Sequence, residues 1–200
     1  MTPRRAIVLV VAAWCAGLGC NDAPKPVIAV THPVGEGGAP YSLDSALKVF
    51  RVGLEPVTEL QAAESSIDRA VARLVEIVER SDTAGLRALV MSRREFAWLY
   101  YPTSPFTREP TKQEPGLVWF LHIQNSQKGA TRLMNRYGSG RLRLLSNECR
   151  GPARVEGGNT IWDDCLQRIL EGGDTVVTRL FGGVIARDGR VKIFSYSNDL

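Results

Sequence analysis

The chain has 200 residues, room for one domain of ordinary size beyond a targeting segment. An apolar share of 44% and a charged share of 23% exclude a disordered chain and a polytopic membrane protein. The formal charge of +4 falls to +2 once Arg4 and Arg5 of the leader are set aside, a balance that points to no nucleic-acid partner.

The first twenty residues, MTPRRAIVLVVAAWCAGLGC, pair a charged start with an apolar run too short to span a bilayer comfortably. That fits a signal peptide over residues 1–19. The ending Ala16-Gly17-Leu18-Gly19-Cys20 resembles the lipobox of bacterial lipoproteins, although Gly17 stands where that family prefers leucine. The resemblance implies that Cys20 becomes the first mature residue and carries a lipid. It also implies an exported protein anchored in the cell envelope, on the periplasmic side. Residues 20–41 are rich in Pro and Gly without periodicity, the composition of a flexible tether, and His32 falls there as a solvated side chain. A single domain is expected over 42–200.

Helices open that domain. Leu43, Ala46, Leu47 and Phe50 recur at helical spacing after Ser42, and Gly53 and Pro56 stop the pattern. Ser65, three residues before Asp68, predicts a capped start for a core helix with Ile67, Val71, Leu74, Val75 and Val78 inward. Asp82 caps a short helix holding Leu86, Leu89 and Val90. Ser92 and Glu95 form another cap before Phe96.

Residues 92–120 hold seven of the chain's fifteen aromatic side chains and are divided by Pro105, Pro110 and Pro115. A long helix from Gly116 to Tyr137 then puts Trp119, Ile123, Ser126, Ala130, Leu133, Met134 and Tyr137 on one face. Lys128, Arg132 and Arg136 trace a basic stripe on it, either a solvated face or a surface for an anionic lipid, polymer or envelope protein.

From Arg141 the period changes to two. Strands are expected from Arg141, over Thr160–Leu170, over Thr175–Ala186, and from Val191 to Tyr196 after an Asp188-Gly189 turn. Gly182-Gly183 predicts a bulge or bend. Helices followed by an antiparallel meander give an α+β class. Cys149 and Cys165 are the only body cysteines, and in an exported domain they are expected to pair across neighbouring strands. The order of elements, with "DTAGLRAL" as second helix and "GRVKIFSY" as last strand, resembles the nuclear transport factor 2-like superfamily. That resemblance implies a curved sheet wrapped on helices around a cone-shaped pocket, in enzymes and binding domains alike.

No familiar catalytic motif, paired C-x-x-C or metal-binding pattern is present, so neither metal nor cofactor is expected. His122 is the one histidine of the domain. It reads as a proton carrier if Asp163 or Asp164 lies beside it, and otherwise as a half-buried ring bonded to backbone. The adjacent aspartates read as one inward and one outward, with Arg168 or Arg179 as partner. Phe96, Tyr100, Tyr101, Trp119, His122 and Trp162 are the candidates to line a pocket. The favoured reading is a lipid-anchored, non-catalytic binding or interaction domain for a small apolar ligand or envelope protein. The alternative is an isomerase, lyase or hydrolase acting on a small substrate through His122 and an aspartate.

Overall fold

A computed structural model describes residues 42–140 and 142–200; the leader, Cys20 and the tether lie outside the described residues. Helix α1 (Leu43–Phe50) starts at Ser42, whose side chain accepts from the Ser45 amide. Helix α2 (Ile67–Glu79) is capped by Ser66, not Ser65, through a bond from the Arg69 amide. Either serine satisfies the spacing roughly, and backbone geometry selects the one in extended conformation next to the first helical residue. Helix α3 (Thr83–Leu89) is capped by Asp82 as expected.

Ser92 and Glu95 form a reciprocal capping box on the short α4 (Arg93–Glu95). The chain then widens into a π-helical turn over Phe96–Tyr100 and tightens into a 3₁₀ turn over Tyr101–Thr103. Helix α5 (Pro115–Tyr137) opens on proline, where no amide partner is needed, and ends at Gly138.

Among the described residues seven antiparallel strands follow the helices and form two sheets, one ordered β1-β4-β5 and the other β2-β3-β6-β7. The strands are β1 (Arg143–Cys149), β2 (Arg154–Glu156), β3 (Asn159–Trp162), β4 (Cys165–Glu171), β5 (Asp174–Thr178), β6 (Gly183–Arg187) and β7 (Arg190–Ser195). Two expected strands are therefore broken. The Thr160–Leu170 run turns a corner at Asp163-Asp164, and the Thr175–Ala186 run turns another before Gly183, so each passes from one sheet to the other. At the second corner a side chain on Gly183 would meet the Trp162 carbonyl at 2.7 Å, which restricts the site to glycine.

The four-stranded sheet is covered on both faces. Val184, Val191 and Ile193 join a cluster with α2 and α3, while Ile161, Ile185 and Phe194 join the aromatic residues of 96–101 and α1. Strand alternation thus feeds two cores rather than a core and solvent. The corner at 163–164 also resets the phase. Ile161 belongs to the aromatic cluster and Cys165 and Ile169 to the other, although strict alternation would have put all three on one face.

Cys149 and Cys165 stand opposite each other on β1 and β4 and form a disulfide, with α-carbons 3.9 Å apart. Among the described residues no helix is long and apolar enough to cross a membrane.

Candidate functional site

Five of the six proposed pocket residues pack on one another. Phe96 is the hub, fully buried, with its ring 5.7 Å from Phe50, Tyr100 and Tyr101 and 5.2 Å from Trp119. The Tyr101 hydroxyl donates to the Gln113 carbonyl at 2.6 Å, and burial pushes its pKa up to about 12. Tyr100 meets Phe194 edge-on at 4.9 Å. These side chains are structural fill. Trp162, the sixth, packs on the other cluster.

Phe194 explains how His122 is held. On β6 Gly183 pairs with Ser195 and Val184 with Ile193, so Phe194 is the extra residue of a β-bulge. Its ring lies edge-on to His122 at 5.0 Å, and its carbonyl accepts the imidazole N–H. Trp119 stacks on the other contact of the ring at 5.7 Å. Burial drives the His122 pKa down to about 4, and the Phe194 bond offsets only part of that. His122 Nε2 has no partner among the described residues.

The two aspartates are elsewhere engaged. At the corner both are half-exposed, not one inward and one outward, because a turn rather than a strand carries them. Asp163 accepts from Arg154 at 2.6 Å and Asp164 from Arg179 at 2.9 Å. Among the described residues no histidine–aspartate couple is formed. Arg154 also bonds Glu156 and the Tyr100 hydroxyl, making a polar cluster at one sheet end. Among the described residues no group of three or more histidine, cysteine or acidic side chains is placed to hold a metal ion.

The basic stripe is largely spent inside the fold. Arg132 donates to the Asn198 side chain at 3.1 Å and to its carbonyl at 2.5 Å. Arg136 makes a two-pronged pair with Glu171 at 3.0 and 3.1 Å.

A cavity of about 650 Å³ lies between α3 and α5. Leu86 and Val90 form one wall and Ile123, Ala130 and Met134 the other. Thr83, Arg87, Ser126, Gln127 and Thr131 add polar groups along it. Tyr196 is the floor. Its hydroxyl donates to the Leu86 carbonyl at 2.9 Å, and its amide donates to the Ser126 hydroxyl at 3.1 Å. Gly129 lets α5 press on this floor, since a side chain there would run into the Tyr196 carbonyl. Asn198 locks the arrangement by donating to the Gly129 carbonyl at 3.0 Å and the Leu180 carbonyl at 3.1 Å. A smaller hollow of about 270 Å³ sits by Glu64, Arg73 and Leu89.

In the sequence Ile123, Ser126, Ala130 and Met134 share one face of the long helix, and the groove that this face lines was not foreseen. The signal was the mismatch in length. α5 has 23 residues, about 34 Å, and α3 only seven, about 10 Å, so α3 cannot cover the face that α5 presents.

Compared with known proteins, the chain matches no family model, no curated protein and no solved structure.

Proposed function

We propose that this protein is an envelope lipoprotein, acylated at Cys20, whose domain binds a small apolar or amphipathic molecule in the α3–α5 groove. The observation that carries the reading is the groove itself: a volume of about 650 Å³, apolar walls and a hydrogen-bonded floor. Ligand sites of small molecules are typically ~300–1,000 Å³, with mostly apolar walls and a few placed polar groups. Arg87 on α3 lies along the groove and suits a ligand with one anionic end. The disulfide is compatible with export to an oxidising compartment.

The enzyme alternative has less support. Among the described residues His122 has no carboxylate partner, and its pKa is lowered to about 4 by burial within the aromatic cluster, away from the groove lining. Helices followed by strands bent at two corners favour the nuclear transport factor 2-like resemblance, with the ligand site displaced to a helix–helix groove.

Titrating the mature protein with 1-anilinonaphthalene-8-sulfonate, an apolar body with one anionic group, tests the reading. Saturable binding is expected, weakened about tenfold or more, or at least ~1.4 kcal/mol, in Ala130→Phe, which fills the groove. His122→Gln should retain it, with near-ultraviolet circular dichroism checking both folds. Unchanged binding in folded Ala130→Phe would remove the groove from the account.

A further inference from the structure

Five exposed large apolar side chains sit on two neighbouring helices and the turn after the first. Val49 and Val52 lie on α1 and just beyond it, and Leu117, Phe120 and Leu121 lie on the first turns of α5. Phe120 is 56% exposed and Val52 77%. The inward sides of both helices are already occupied. Leu47, Phe50, Val118 and Trp119 pack into the aromatic cluster, and α1 lies against α5. What remains outward on a solvated helix would ordinarily be polar.

The charges around this patch are not random. α5 contains Lys128, Arg132 and Arg136 and no carboxylate in 23 residues. Lys128 lies eleven residues beyond Leu117, three turns along the same side. Lys48 adjoins Val49 and precedes Val52 by four residues. Asp44 and Glu114 are also nearby, both at helix starts, where the helix dipole favours a carboxylate. Apolar side chains with lysines beside them suit the boundary between lipid headgroups and acyl chains.

The path of the chain points the same way. The described residues begin at Ser42, the cap of α1 itself, so the N-terminal segment enters the domain at the helix that carries part of the patch. Cys20 precedes Ser42 by 22 residues, a reach of at most about 75 Å however the chain runs. We infer that the face formed by Val49, Val52, Leu117, Phe120 and Leu121 docks on the surface of a bilayer containing anionic lipid. It thereby holds the domain on the membrane by one side. The inference rests on the reading that Cys20 is acylated. A tethered domain meets that surface at high effective concentration, so a modest apolar face is sufficient.

The test uses the full mature chain with a nitrobenzoxadiazole label at Phe120→Cys, and a control label at Arg190→Cys on the β6–β7 hairpin, outside the patch. The disulfide leaves the introduced thiol free to react. Flotation with vesicles of phosphatidylethanolamine and phosphatidylglycerol reports anchoring by itself. Docking predicts a blue shift and brighter emission at position 120 and none at 190. Protein that floats while both labels stay aqueous overturns the docking and leaves the anchor standing. A shift at 120 that grows with protein concentration without vesicles identifies a second copy as the occupant and also overturns it. Protein that does not float loses the anchor; a label at 120 still aqueous in excess vesicles then loses the docking too, whereas a shift there upholds docking without the anchor.

Discussion

His122 is more useful as a stability probe than as a proton carrier. Phe96, Trp119 and Phe194 surround its ring, and the forces acting on its proton are burial and the Phe194 carbonyl. The unfolded chain binds a proton near 6.5 and the folded chain only near 4. The neutral ring therefore contributes stability that is intact near neutrality and lost as pH falls from 6.5 towards 4. A shift of that size is on the order of 3 kcal/mol. Urea denaturation of wild type and His122→Gln, at roughly pH 7.5 and pH 4.5, isolates this contribution from that of the carboxylates. Wild type should lose more stability on acidification than the variant, by about 2–3 kcal/mol. Equal losses would mean that water reaches the ring.

At the scale of elements, the buried pair Glu95–Lys192 joins three segments. Both side chains are almost fully buried, and Lys192 Nζ lies 3.0 Å from each Glu95 oxygen. The same oxygens accept from the Gln61 amide at 2.6 Å and the Ser92 amide at 2.7 Å. Glu95 is thus at once a helix cap, an anchor for the loop before α2, and the counter-ion of a lysine on β7. Burial lowers the Lys192 pKa, and Glu95 opposes that shift. Glu95→Gln leaves a buried cation without its charge partner and should cost about 3–5 kcal/mol in a denaturant titration. Adding Lys192→Met to it should recover part of that loss. A double variant as unstable as the sum of the singles would show that the pair is not coupled.

The cap half of this arrangement was legible, because Ser92 and Glu95 stand at capping-box spacing. The ion pair was not. Lys192 alternates with Val191 and Ile193 and reads as the wet side of an edge strand, when in fact both sides of its sheet are covered. The helices were legible for the same reason the caps were, since their signals are local. The corners at 163–164 and 179–182 were only half visible: Gly182-Gly183 marked one, but two adjacent aspartates in an otherwise apolar run read as one inward and one outward position of a continuous strand. The aromatic stretch stands out in the sequence by its density, and its rings pack on one another in the fold. Density alone does not separate lining from filling, because side chains dense enough to line a cavity are also dense enough to fill it.

Across the whole molecule, α5 contributes to both cores, as the four-stranded sheet does. Val118 belongs to the aromatic cluster, and Leu133 and Tyr137 belong to the cluster around α2. Its exposed first turns carry the face assigned to the bilayer, while its middle forms one wall of the groove. A ligand and a membrane would then be met by different stretches of one rigid helix. The frame around the groove is tied by several hydrogen bonds, through Tyr196, Asn198, Gly129 and Arg132. The central claim is that binding belongs to this groove and not to the aromatic cluster around His122. The most direct measurement is a methyl and aromatic NMR titration of the domain in its full chain with decanoate. The account predicts saturable shifts at Leu86, Val90, Ile123, Ala130 and Met134, with the Trp119, His122 and Phe194 ring resonances unmoved. Saturable shifts confined to those rings would contradict it.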